Sequence, residues 1–245
     1  MCIRDRIDVC RETGLGALEL RSTHKHGVEP SLTAEQRREI RKRFEDGGVT
    51  LLGLGSACEF HSPDAAEVLR NIDLARKFIE LAADVGARQV KVRPNGLPEQ
   101  VEESRTLAQI GESLRTLGEA AAPAGVEIVC EVHGRLTQEP PRMRRIMEAA
   151  AHPAVGVTWN SNPTDIQGGS VRESFQMLRK WILNVHINEL VSPYPWRELF
   201  ALLNESGYDR WTMIEAQALK SREPEDTTRF LRYYRALWEE FSRPV

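Results

Sequence analysis

Between Val126 and Glu215 one pattern recurs four times: VEIVCE (126–131), VGVTWN (155–160), ILNVH (182–186) and WTMIE (211–215). Each is a short apolar run of strand length that ends on a polar residue: Glu131, Asn160, His186 and Glu215. These end residues lie 29, 26 and 29 positions apart, which is room for one strand, one helix and two loops. Where parallel strands close into a barrel, the carboxyl ends of the strands converge on one rim. Two carboxylates, an imidazole and an amide oxygen meeting there form a donor set for a divalent cation. Mixed oxygen and nitrogen ligation suits Mn²⁺, Mg²⁺, Co²⁺ or Zn²⁺.

The same rhythm runs outward to both ends. Further strands read as ALEL (17–20), VTLLGLG (49–55) and QVKVR (89–93), and the later runs extend to ILNVHI (182–187) and WTMIEA (211–216). They read as continuous apolar runs, as expected of parallel strands covered on both faces. Helix signals separate them. Thr33 and Gln36 form a capping box, and Gly47-Gly48 ends that helix. Ser62-Pro63 reads as an N-cap followed by a first-turn proline, Ser170 and Glu173 as a second box, and Glu223-Pro224 as the start of the last helix.

A helix near residues 3–13 precedes the first visible strand, so the count is seven strands and eight helices. The fold class is therefore α/β, a (β/α)8 TIM barrel lacking its first strand at the N-terminus. The opening Met-Cys-Ile-Arg-Asp-Arg is too charged for a barrel strand, and the expectation is an N-terminally truncated chain. No other boundary is visible, so residues 1–245 are expected to form a single domain.

Bulk composition excludes several classes. The chain is 41% hydrophobic and 28% charged with a net charge of −3, so no basic surface for nucleic acid is implied. Charges break every apolar stretch well short of about 18 residues, so no membrane span is expected. With no apolar leader core, a cytoplasmic location is expected. Cys2, Cys10, Cys58 and Cys130 make no CxxC pair and are expected as free thiols. Nucleotide-cradling and nucleophile-elbow motifs are missing.

The segments GLGALELR, NIDLARKFIELAADVGARQVKV, GVEIVCEVHG, HPAVGVTWNSNPTD, NVHINEL and GYDRWTMIEA span about Gly14 to Trp238. Together they resemble the xylose-isomerase-like TIM-barrel family of sugar phosphate isomerases and epimerases. The resemblance implies a metal held by Glu131, Asn160, His186 and Glu215, where the family usually has Asp at the second position. Asn160 still offers an oxygen but removes one negative charge, and Asp165, five residues on, is a candidate to compensate. Another departure is Asn188-Glu189, where the family has Lys-Asp.

The resemblance also implies the chemistry, which is proton transfer beside a carbonyl through a metal-stabilised enediolate, with Glu131 and Glu215 as catalytic acid–base groups. A dehydratase of a keto-polyol begins with the same proton abstraction. A catalytically weakened sugar-binding or structural barrel is the contrasting expectation. The expected partner is a small sugar or polyol, and barrels of this kind commonly self-associate.

Supporting residues have two readings each. His133 lies two residues beyond Glu131 and on the same side of an extended chain, either for a substrate hydroxyl or as an ordinary rim histidine. Lys91 and Arg93 share a strand face, for an anionic sugar or for neighbouring carboxylates. Asn162 and Asn188 suit sugar hydroxyls or loop structure. Trp159 and Trp196 suit an apolar wall under a sugar ring or the core. His24, His26 and His61 sit in loops at the same rim, where an isolated histidine is usually solvated.

Overall fold

A computed structural model describes residues 2–217, 219–220 and 223–243. The chain runs α1 (Ile3–Thr13), β1 (Ala17–Arg21), α2 (Ala34–Gly47), β2 (Thr50–Glu59), α3 (Ala65–Val85), β3 (Gln89–Arg93), α4 (Glu103–Ala121), β4 (Glu127–Glu131), α5 (Pro140–Ala150), β5 (Val155–Trp159), α6 (Arg172–Leu178), β6 (Ile182–Ile187), α7 (Trp196–Glu205), β7 (Trp211–Ile214) and α8 (Pro224–Ser242). The seven strands form one parallel sheet in chain order, as right-handed βαβ crossovers dictate. This is a TIM barrel one strand short of eight. The expected first strand does not precede α1 among the described residues.

The sheet is nearly closed. β1 pairs only with β2 and β7 only with β6, so no ladder joins β7 to β1 among the described residues. Helix α1 packs on α8 across this seam, where Arg235 donates to the Thr13 carbonyl at 2.8 Å. Inside the seam lies a cavity of about 290 Å³ lined by Val9, Leu18, Arg21, Met213, Glu215 and Leu231 among others.

The hydrophobic core lies between sheet and helices. Val90, Val92, Ile128, Cys130, Val157, Trp159, Val185 and Ile187 face outward from the strands and are fully or almost fully buried. Against them pack Phe78 and Ile79 of α3, Leu107, Ile110 and Leu114 of α4, and Met143 and Ile146 of α5. Each such side chain contributes about 2 kcal/mol by leaving water.

The barrel interior is different, and it corrects the reading of the strands as apolar on both faces. QVKVR alternates: its valines point to the helices, while Gln89, Lys91 and Arg93 point inward. Asn184 on β6 donates to Gln89 on β3 at 2.7 Å, a bond between strands that are not neighbours and so must cross the lumen. Gln89 in turn donates to Glu127 at 3.0 Å. Room for these long side chains comes from β2. A Cβ on Gly55 would stand 3.1 Å from Glu19 Oε1 and 3.4 Å from Lys91 Cε, so glycine there admits the Lys91–Glu19 pair.

Helix starts shift in two places. The α3 N-cap is Asp64, whose carboxylate accepts from the Ala66 N–H at 2.9 Å, while Ser62 instead bonds Glu67 and the Asp64 N–H. Ser170 gives its hydroxyl to Glu198 rather than forming a box with Glu173. The Thr33–Gln36 box forms as read, Pro224 opens α8, and all four cysteines are free. No helix among the described residues is long and apolar enough to cross a membrane.

Candidate metal centre on the barrel rim

The strand ends β4 to β7 bring Glu131, Asn160, His186 and Glu215 to one point. One ligand atom each of Glu131, His186 and Glu215 lie within 4.8 Å of one another. His186 Nδ1 is the hub, 2.9 Å from Glu215 Oε2 and 3.9 Å from Glu131 Oε1. Asn160 Oδ1 faces the same nitrogen at 3.1 Å. Three oxygens around one imidazole nitrogen, drawn together by a cation, fit the ligand distances of about 2.0–2.3 Å for a divalent transition ion. The donor set thus fits such an ion, with Asn160 as a neutral arm.

The amide of Asn160 is held in the useful orientation. Its Nδ2 donates to Asn162 Oδ1 at 3.3 Å, which turns Oδ1 toward His186. Asn162 is fixed in turn, since its own Nδ2 donates to the Val132 carbonyl at 2.6 Å. Asn188 Nδ2 donates to the Asn160 carbonyl at 2.9 Å. The two asparagines therefore brace the loop after β5, in which Ser161 has a φ of +52° and donates its hydroxyl to the His186 carbonyl at 2.7 Å. Both are buried or half-buried, and their polar atoms go to the backbone more than to open space.

The two glutamates sit in unlike surroundings. Glu131 is 3% exposed, and its Oε2 is met by Arg93 Nε at 3.2 Å and Lys91 Nζ at 3.6 Å. Glu215 is 38% exposed and lies just past an edge strand. Burial pushes the Glu215 carboxyl up. The hydrogen bond to His186 and its charge, then Lys91 and Arg21, outweigh that and hold it at about 2.

Lys91 is 2% exposed and pairs with Glu19 Oε1 at 2.9 Å. Burial pulls its pKa down, but Glu19 and Glu131 outweigh burial, so the ammonium is held above its ordinary value and stays charged. Of its two readings, pairing with neighbouring carboxylates is the one its position matches. Glu19 was not foreseen; its signal is a charge between Leu18 and Leu20 in a strand otherwise bound for burial.

The remaining residues separate. His133 is half-buried, and its Nδ1 lies 3.1 Å from Asn95 Oδ1, while its Nε2 makes no hydrogen bond among the described residues. The Asn95 amide is oriented by its bond to Glu59. Trp159 points away from the rim into the helix layer, at 1% exposure, and donates to Tyr194 Oη at 3.1 Å. Trp196 likewise packs on Tyr194 with ring centres 4.5 Å apart, so both tryptophans are core. Asp165 does not join the cluster. Its Oδ2 accepts from the Asn162 N–H at 2.7 Å and Tyr194 Oη at 3.0 Å, and burial raises it to about 7. His26 is a loop brace, bonded to the Arg21 carbonyl at 2.7 Å and the Val28 N–H at 3.0 Å.

A parallel β/α barrel with oxygen and nitrogen donors clustered at the carboxyl ends of its strands places the chain among the TIM barrels. Within that class the chain belongs to the xylose isomerase-like TIM barrel family, whose profile matches residues 7–236. No curated protein matches the sequence.

Solved structures share the fold at low identity. A D-psicose 3-epimerase from Clostridium cellulolyticum H10, solved with D-tagatose, superposes with TM-score 0.82 at 14% identity, covering 98% of this chain and 94% of its own. The IOLI protein with a zinc atom gives 0.78 at 16% identity over 99% and 93%. A probable 3-DHS dehydratase, AsbF, from Bacillus anthracis gives 0.73 at 15% identity over 96% and 94%.

Proposed function

We propose that the protein is a divalent-metal-dependent isomerase or epimerase of a sugar, sugar phosphate or polyol, working by proton transfer beside a carbonyl. The observation that carries this reading is the hub geometry: three oxygens from three strand ends face one imidazole nitrogen on a fourth. Glu131, Asn160, His186 and Glu215 would hold the ion. Bound there, the ion would polarise carbonyl and hydroxyl oxygens of a substrate and stabilise an enediolate. Metal-bearing and epimerase barrels of the same fold support the assignment of class.

The chain's own residues divide the work. Glu215 turns Oε2 to His186, and its other oxygen makes no hydrogen bond among the described residues; that oxygen is placed to take a proton from carbon. Glu131 is held still by Lys91 and Arg93, which fixes the direction of Oε1. In an epimerase it returns the proton on the opposite face. His133 Nε2 accepts a substrate hydroxyl. The core around Trp159 and Tyr194 keeps the floor rigid. A single-domain enzyme of the cytoplasm, acting on a small polar ligand, completes the reading.

A second reading is favoured by Asn160: a barrel that binds a sugar-like ligand with little turnover, because one ligand charge is gone. A keto-polyol dehydratase would use the same first step. Elemental analysis with calorimetric Mn²⁺ titration of wild type and Glu215→Ala separates them. Wild type should bind near about micromolar, a free energy of about −8 kcal/mol, and Glu215→Ala far more weakly. Solvent deuterium should enter a carbon-bound position of a turned-over ketose. Failure of both proteins to bind any divalent ion removes the proposed chemistry.

A further inference from the structure

Beside the metal cluster lies a second polar cavity, of about 70 Å³, lined by Arg21, Ser22, Thr23, His24, Ser56, Lys91 and Arg93 among others. A water molecule occupies about 30 Å³ of liquid. The space therefore suits two waters or one carboxylate or phosphate head. Its walls come from the ends of β1, β2 and β3, opposite the strands that carry Asn160, His186 and Glu215.

The cations around it are unequally used. Lys91 is consumed by Glu19 and Glu131. Arg93 spends only Nε, on Glu131 at 3.2 Å, and its two terminal nitrogens have no partner among the described residues. Arg21 is exposed, and its guanidinium makes no hydrogen bond or ion pair among the described residues, although it borders this cavity and the seam beside Glu215. Two guanidinium groups with free N–H donors, flanking a small polar cleft, are the arrangement that recognises an oxyanion.

Charge balance points the same way. Near the rim Lys91 and Arg93 are paired with Glu19 and Glu131, while Arg21 has no ion partner among the described residues. Asn160 adds no charge of its own. A divalent cation would bring two positive charges to this rim, and an aspartate in place of Asn160 would offset one of them. Added positive charge beside free guanidinium groups favours an acidic ligand over a neutral one.

We propose that Arg21 and the free edge of Arg93 form an oxyanion subsite, and that the substrate of this barrel is an acidic sugar derivative rather than a neutral ketose. A carboxylate or a phosphate ester supplies the same chemistry. The proposal deepens the metal-dependent reading and rests on it for the word substrate. The subsite itself is built from residues outside the ligand set and can be measured without metal.

The test is calorimetric titration of inorganic phosphate, D-gluconate and the neutral D-glucitol into metal-free and Mn²⁺-treated protein. At least one anion should bind in about the millimolar range, with D-glucitol weaker by about tenfold or more. Arg21→Gln, a change at an exposed position, and Arg93→Gln should each weaken that anion by about tenfold, while Arg70→Gln on α3 leaves it unchanged. Binding of gluconate but not phosphate assigns a carboxylate; the reverse assigns a phosphate ester. Equal binding of D-glucitol, anion affinity in Arg21→Gln within about twofold of wild type, or no anion binding to wild type overturns the subsite. Anion binding in metal-free protein that takes up no Mn²⁺ keeps the subsite while removing the metal reading.

Discussion

The β3–β4 wall and the β6–β7 wall of the barrel mouth each carry a glutamate, and the two could hardly be more unlike. On β4, Glu131 is sealed from solvent and tied to Lys91 and Arg93. After β7, Glu215 is more than a third exposed and, among the described residues, its carboxylate meets His186 at contact distance. The first wall is a buried ion network with the site on its edge. The second is a lightly held arm. The difference teaches that one residue type at equivalent strand ends can be locked in a buried ion network in one place and stand at an open edge in the other.

The largest effect should come from Lys91. Replacing it by methionine leaves Glu19 as an uncompensated, largely buried charge and Glu131 with Arg93 alone, and urea denaturation should show a loss of about 3–5 kcal/mol. A loss below about 1 kcal/mol, the range of exposed pairs, would break the comparison.

Glu131→Ala and Glu215→Ala come next. Both should abolish micromolar Mn²⁺ binding, weakening it by at least about a hundredfold, or about 2.7 kcal/mol. Glu131→Ala should also destabilise the metal-free protein by about 2 kcal/mol, since it leaves Arg93 without its ion partner and Lys91 with Glu19 alone, and Glu215→Ala by no more than about 1 kcal/mol. Equal stability losses would erase the distinction between the walls.

Asn160→Asp should tighten Mn²⁺ by about tenfold, worth about 1.4 kcal/mol, because it restores a carboxylate next to His186. Unchanged or weaker affinity would remove Asn160 from the ligand set.

The smallest effect is on acid stability. The Glu215 carboxyl is held near 2, below its usual 4.5. A depressed carboxyl stabilises the fold above its unfolded pKa and loses that contribution as pH falls from about 4.5 toward 2. Because Glu215 is well exposed, solvent screening reduces the contribution to about 1 kcal/mol. Glu215→Gln should lower urea stability by about this amount near neutrality, flatten its pH dependence across that window, and converge with wild type as pH approaches about 2.

The architecture was legible because its signals are local. Strand lengths, the Thr33 box and Pro224 set the element count without reference to distant chain. The four donors were legible because their spacing follows the β/α unit. The lumen was not. Val90 and Val92 made QVKVR look like a core strand, while the partner of Lys91 is Glu19, seventy-two positions earlier. Pairings between strands that distant leave no local pattern. The orientation of Asn160 was hidden for the same reason, since Asn162 has to reach the Val132 carbonyl before it can turn its neighbour.

The seam between β1 and β7 has one more consequence. Among the described residues β7 is hydrogen-bonded on one side only, and the Glu215 N–H that continues its ladder donates to the Ile187 carbonyl at 2.9 Å. Local opening of that strand end would carry Glu215 away from His186. An ion held by Glu215 must therefore oppose the opening, by about 2.7 kcal/mol when present at a hundred times its dissociation constant. Amide hydrogen exchange along β7 then becomes a gauge of occupancy that needs no substrate: protection of Thr212 to Glu215 should rise with added ion while β3 and β4, paired on both sides, stay as they were.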